Sequence, residues 1–229
     1  MELYAGFFMQ SMNFKQNAFN FFIYVCIMKK IIIVLCFLAS AHAQAQNLSA
    51  DKLNRLGITH FDSGNYVAAI NCFTKAITLD SNNYEYYSNR AMASFNIKQY
   101  KDALADIDLS LKMKPNFPNA YYLRGNIKDK MGDHDGAIRD FTKEVVFNPD
   151  CFKCYYNLGN VYTEKKDYTL AIEMFAKCIA IEPGFSEAYN NSGIAKYKMK
   201  DRAGACADWK KAFELGNKEA GKDLSRLCN

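Results

Sequence analysis

One spacing governs this chain, an interval of 34 residues. Stepping by it from Gly57 meets Ala91, Gly125, Gly159 and Gly193. From Ala69 the same step meets Ala103, Ala137, Ala171 and Ala205, and from Phe73 it meets Ile107, Phe141, Phe175 and Trp209. Leu53 leads to Tyr87, Tyr121, Tyr155 and Tyr189, while Pro115, Pro149 and Pro183 keep the same interval. Five ladders in one register exclude chance. A period of this size means stacked copies of one supersecondary unit, none able to bury its own apolar face alone. Small residues on two ladders let antiparallel helices approach closely, and bulky residues on two others fill the space between neighbouring pairs. Tyr66, Tyr100 and Tyr168 open each second helix, with His134 and Arg202 as departures. The prolines end it, since Pro cannot continue the hydrogen-bond ladder. Ser81 takes that place in the first unit, and Gly216-Asn217 uses the C-terminal glycine signal in the last.

The pattern resembles the tetratricopeptide repeat, a helix–turn–helix of the same length. It runs without insertion through 50–83, 84–117, 118–151, 152–185 and 186–219, inside a repeat region of 46–219. The resemblance implies an all-α fold: a right-handed α-solenoid of five repeats, with 220–229 as a capping helix. In that helix Leu224 and Leu227 face back while Lys222, Asp223 and Arg226 face water, the polar-backed end a solenoid needs.

The resemblance also implies a concave groove lined by the first helices. Its positions here hold Asn89, Tyr122, Asn126, Lys153, Tyr156, Asn157, Asn160 and Asn191. Asn can bond both the N–H and the C=O of an extended peptide, and Tyr adds flat apolar area with a polar tip. The plainer reading of these Asn residues is a solvated helix face. One branch of the family grips C-terminal carboxylates with bases spread over three repeats. Here only Lys153 stands in such a place, and Glu85 and Glu187 oppose the charge. The function implied is a non-catalytic scaffold or adaptor whose groove binds other proteins or extended peptides. The alternative is a structural subunit of an envelope complex that uses the convex face or the cap.

Residues 28–45 read as a secretory signal peptide: Met28-Lys29-Lys30, an apolar run from Ile31 to Ala39, then small residues at alternate positions. Cleavage after Ala43 or Ala45 fits equally, which gives a periplasmic or secreted protein. Residues 1–27 then read as an upstream extension, with translation starting at Met28. The competing reading is an uncleaved membrane anchor from about Ala18 to Ser40. It would carry Lys29 and Lys30 near mid-span, at about 2.5–3.5 kcal/mol each on an insertion scale.

Chemistry beyond binding finds little support. Part of the formal charge of +5 comes from Lys15, Lys29 and Lys30 against Glu2, and acids and bases alternate through the rest. No basic block marks a nucleic-acid partner. No phosphate loop, His-Glu-x-x-His or Gly-x-Ser-x-Gly is present, so neither catalytic residues, a cofactor nor a small-molecule substrate is expected. His60 and His134 occupy places the family fills with aromatics, so both are expected to pack. Asp133-His134-Asp135-Gly136 lacks a calcium loop's outer ligands, having Met131 and Thr142 there, and no metal site is expected. Glu144 stands where Ala76, Ser110, Cys178 and Ala212 stand, and should tilt to solvent or find a cation.

Six cysteines lie beyond the leader: Cys72, Cys151, Cys154, Cys178, Cys206 and Cys228. An exported compartment permits disulfides. In the implied repeat register Cys206 is level with Cys228, and Cys154 with Cys178, so these two pairs are the expected bonds. Cys151-x-x-Cys154 leaves a metal half-site or a redox pair open as well. No second Cys-x-x-Cys or His pair completes a zinc site, and no strand–helix pattern of the thioredoxin kind surrounds it.

Overall fold

The computed structural model describes residues 48–228. The signal-peptide stretch and the extension before it lie outside the described residues. Among the described residues eleven helices follow in order: α1 (Ala50–Asp62), α2 (Tyr66–Leu79), α3 (Tyr84–Asn96), α4 (Tyr100–Met113), α5 (Ala120–Lys130), α6 (His134–Phe147), α7 (Phe152–Glu164), α8 (Tyr168–Ile181), α9 (Ser186–Lys198), α10 (Arg202–Glu214) and α11 (Lys218–Leu227). None of them is long and apolar enough to cross a membrane. Each odd-numbered helix from α1 to α9 packs against the next even one. Each even helix then packs against the first helix of the next pair, and α11 lies on α10. The result is an all-α solenoid.

The turn inside each pair follows a ladder of its own. Gly64, Lys98, Gly132, Lys166 and Lys200 all have φ between 63° and 82°. This left-handed conformation suits Gly and costs an L-residue about 1–2 kcal/mol. The residue that follows then caps the second helix. Asn65, Asp133, Asp167 and Asp201 accept from the N–H three residues on, at 2.9–3.2 Å. Gln99 makes no such bond. At the far end, the C-cap residues Lys114, Asn148 and Glu182 leave the helical region one residue before each proline. That is where steric clash with the proline ring disfavours helix.

The core explains the glycine ladder. A Cβ on Gly57, Gly125, Gly159 or Gly193 would lie 2.5–2.7 Å from the nearest ring atom of Phe73, Phe141, Phe175 or Trp209 respectively. Each ring is therefore seated on the glycine of its own repeat. This refines the expectation that the bulky residues chiefly fill the space between pairs, though Phe141 also reaches Leu158 and Val161 of the next repeat. The second repeat uses Ala91 with Ile107, and both are fully buried. The Ala69 ladder is fully buried in every repeat.

The third repeat departs from the register. Pro118 delays α5 to Ala120, and Asn119 takes φ 63° with no side-chain cap. Glu144 on α6 supplies the cap instead. Its two carboxylate oxygens accept from the N–H groups of Asn119 (3.1 Å) and Tyr122 (3.3 Å). The expectation that Glu144 would tilt outward or find a cation is thus corrected. The side chain is buried, and the positive end of a helix takes the place of a counter-ion. Ser110, at the equivalent position one repeat earlier, also reaches its pair's first helix, donating to the Tyr84 carbonyl at 2.8 Å.

Candidate functional site: the concave groove

Two adjoining hollows run along the first helices. The larger, about 780 Å³, is bounded by α1, α3, α5 and the start of α7, with Ile58, Phe61, Met92, Phe95 and Phe117 among its walls. The smaller, about 510 Å³, continues over α5, α7 and α9 and is lined by Asn126, Asn157, Asn160 and Asn191. Phe95, Tyr122 and Asn126 border both. The groove thus changes character along its length, apolar at the N-terminal end and amide-lined at the C-terminal end.

The sequence explains the change. Ile58, Met92, Asn126 and Asn160 share one position of the repeat, and Asn89, Leu123, Asn157 and Asn191 share another. Where Asn occupies both, the side chains meet across the seam between repeats. Asn157 donates to Asn126 at 2.7 Å, and Asn191 donates to Asn160 at 2.8 Å. Where Met92 faces Leu123, the seam is apolar. Asn89, which that spacing would set against Ile58, finds its partner one helical turn earlier on α1, donating to Asn54 at 2.9 Å.

These bonds decide what each amide can offer a ligand. Asn191 also donates to the Tyr156 hydroxyl (3.1 Å) and accepts from Asn190 (3.3 Å), so both its N–H groups are committed. Asn126 and Asn160 act as acceptors in their pairs and line the smaller hollow. The seam bonds hold the amides at fixed angles, which lowers the rotamer freedom left to lose in any further contact.

Family models for the tetratricopeptide repeat match residues 50–83 and 152–185, and a second model of the same repeat matches 118–145. The chain is a tetratricopeptide-repeat protein. It is 46% identical over 59 residues to the human small glutamine-rich tetratricopeptide repeat-containing protein beta, covering 26% of this chain and 19% of that one. It is 35% identical over 88 residues to the heat shock protein sti1 homolog of Schizosaccharomyces pombe, covering 38% of this chain and 15% of the relative. The matches therefore span less than a fifth of these relatives' length. Among solved structures, MamA aligns with a TM-score of 0.66 at 28% identity, over 72% of this chain and 96% of MamA.

Within this repeat protein, the residues singled out from sequence fall in three places. Asn89, Tyr122, Asn126 and Lys153 line the apolar hollow. Tyr122 and Asn126 extend into the amide-lined one, where Asn157, Asn160 and Asn191 also lie. Tyr156 lines neither. Its ring packs edge-on against Phe185 at 5.0 Å, and its hydroxyl steadies Asn191. Sequence reasoning missed Asn54 and the apolar walls. The signal for the walls was present: Ile58 and Met92 stand exposed on first helices at a position that carries Asn in the next two repeats.

His134 is half-buried like Tyr66, Tyr100 and Tyr168 on its ladder, but it meets carboxylates where Tyr66 and Tyr100 meet Phe61 and Phe95. It is partly exposed at the groove rim, with Nδ1 3.4 Å from Asp129 and Nε2 3.4 Å from Glu164. The three side chains offer ligand atoms within 4.8 Å of one another. Lys130 pairs with the same Asp129 at 3.1 Å. The trio was invisible in sequence because its members lie on α5, α6 and α7.

The cysteines need one correction. Cys154 does not pair with Cys178 but with its neighbour Cys151, one helical turn away, at a Cα separation of 5.3 Å. Cys178 is a free, buried thiol whose pKa burial pushes up to about 12, with Glu182 adding to the effect. It therefore stays protonated and inert. Cys206 and Cys228 are joined, with Cα atoms 5.7 Å apart, tying the end of α11 to α10.

Proposed function

We propose that this protein is a binding scaffold that holds an extended segment of a partner protein along its concave groove. The observation that carries this reading is the two-part lining: apolar walls that can take a large side chain, continued by amides already oriented by their seam bonds. An extended strand presents an N–H and a C=O on each residue, which amides can satisfy together. The tetratricopeptide relatives support the reading at the level of family.

The test compares variants of the immobilised protein against a partner captured from the native source. Asn126→Ala with Asn160→Ala should weaken that partner about tenfold or more, since each lost hydrogen bond is worth about 0.5–1.5 kcal/mol. Met92→Asp should abolish capture. Val146→Asp, at an exposed position on a second helix, should change nothing. Loss on Val146→Asp with the groove variants intact would move the interface to the convex face and favour the envelope-subunit reading.

We also propose export to the periplasm or beyond, on the strength of the Met28–Ala45 pattern. Mass spectrometry of the native protein should find an N-terminus at Gln44 or Gln46. A membrane-bound chain retaining Met1 or Met28 would show the anchor instead.

A further inference from the structure

The two disulfides are built for different jobs. Cys206–Cys228 links α10 to the end of α11 across a sequence separation of 22. It fastens α11, the last of the described helices, onto α10, the helix it packs against. Cys151–Cys154 spans a separation of 3, inside the first turn of α7. It joins no two elements, and the helix around it already fixes both residues. As a fastener it holds almost nothing.

Its position suits chemistry instead. Cys151 is the N-cap residue of α7, a place that Asn or Asp fills at most other helix starts of the solenoid. Its sulfur accepts the Cys154 N–H at 3.2 Å. Backbone N–H groups at a helix start carry partial positive charge, so a thiolate left on Cys151 would be held by the dipole and by this bond. A thiolate so placed is a good leaving group, and stabilising the reduced form makes the disulfide a stronger oxidant. The two sulfurs are also unequal. Cys151 is partly exposed, while Cys154 is fully buried. Only one sulfur can therefore be reached by an incoming thiol. Among flanking charges, Lys153 favours the thiolate and Asp150 opposes it.

We infer that Cys151–Cys154 is a thiol–disulfide exchange site that takes two electrons from a dithiol, Cys151 being the sulfur attacked. A thiolate of the dithiol bonds to the Cys151 sulfur and breaks the Cys151–Cys154 bond. Cys154 leaves as a thiolate and takes up a proton. The second thiol of the partner, losing its proton, then attacks its own sulfur in the mixed disulfide and expels Cys151. The partner ends as a disulfide and the protein as two thiols, with two protons and two electrons passed across. The exchange is stoichiometric and independent of whether the groove holds a peptide.

The second disulfide serves as an internal reference. The full-length oxidised protein is equilibrated with graded mixtures of reduced and oxidised glutathione, alkylated, and mapped by mass spectrometry so that each bond is followed separately. Cys151–Cys154 should open at a reducing strength at least about 100-fold lower than Cys206–Cys228 requires. In single variants, Cys154→Ser should form a mixed disulfide with oxidised glutathione at Cys151, whereas Cys151→Ser should leave Cys154 unreactive in the folded state. Opening of both bonds at the same ratio would overturn the inference, as would equal reactivity of the two variants. The titration uses the unaltered protein, so its outcome decides the matter even where a variant folds poorly.

Discussion

Arg124→Ala is expected to lower the unfolding free energy by about 3 kcal/mol, the low end of the cost of stranding one member of a buried ion pair. Asp140 has only 4% of its side chain exposed, and Arg124 binds it through two nitrogens, at 2.9 and 2.6 Å. Arg124 also reaches Asp108 of the preceding repeat at 2.7 Å, so one guanidinium ties two repeats together. Burial works against its charge, yet the bonds to Asp140 and Asp108 hold its pKa above the ordinary value. Lys128, 2.7 Å from Asp140, remains in the variant and keeps the loss from being larger. The chain itself supplies the control. At the same two positions the fourth repeat carries Leu158 and Met174. The double variant Arg124→Leu with Asp140→Met should therefore recover most of the stability, because replacing a buried pair by packed apolar groups is often neutral or better. Urea unfolding of the single and double variants measures both effects. A double variant as unstable as Arg124→Ala would mean that the apolar alternative cannot be transplanted between repeats.

Gly125→Ala is expected to cost about 2 kcal/mol, within the usual range for overpacking a filled core. The added methyl would lie 2.7 Å from the Phe141 ring, which is fully buried and has nowhere to retreat. The second repeat shows how the chain accommodates that methyl, with Ala91 facing Ile107 rather than a ring. Phe141→Ile should accordingly rescue Gly125→Ala. The pair should be more stable than the sum of the single losses predicts by about 1 kcal/mol, within the range for residues in contact. Strict additivity in thermal or urea unfolding would show that the glycine is there for some other reason than the ring above it.

The sequence carries the solenoid because periodicity is a property of residue type and spacing, and both are written along the chain. The small and bulky ladders name the helices and their number. The prolines mark where second helices end. What the ladders cannot carry is pairing between positions that share no spacing. Glu144 misleads because its partners are backbone N–H groups of a helix start, which no residue letter announces. Height alone points Cys154 to Cys178, while the nearer sulfur of Cys151 sits one turn away on the same helix. The Asn positions of the groove are legible, but their mutual bonds are not. Each depends on an offset of 31 or 35 residues, one side or the other of the repeat length. The turn ladder hides for the opposite reason. Its spacing is perfect, but it mixes Gly with Lys, and only the backbone conformation unites them.

The ring seated on its glycine has a consequence for how such a chain can grow. Both halves of that lock lie within one unit, sixteen positions apart. A duplicated gene segment therefore carries the lock whole, and a newly copied unit brings this contact with it wherever it lands. The Asn pairs behave otherwise, since each is shared between adjoining units and survives only if the right neighbours stay side by side. Reshuffling the units would thus spare the core and rewrite the groove, leaving the architecture inherited and the binding surface open to change.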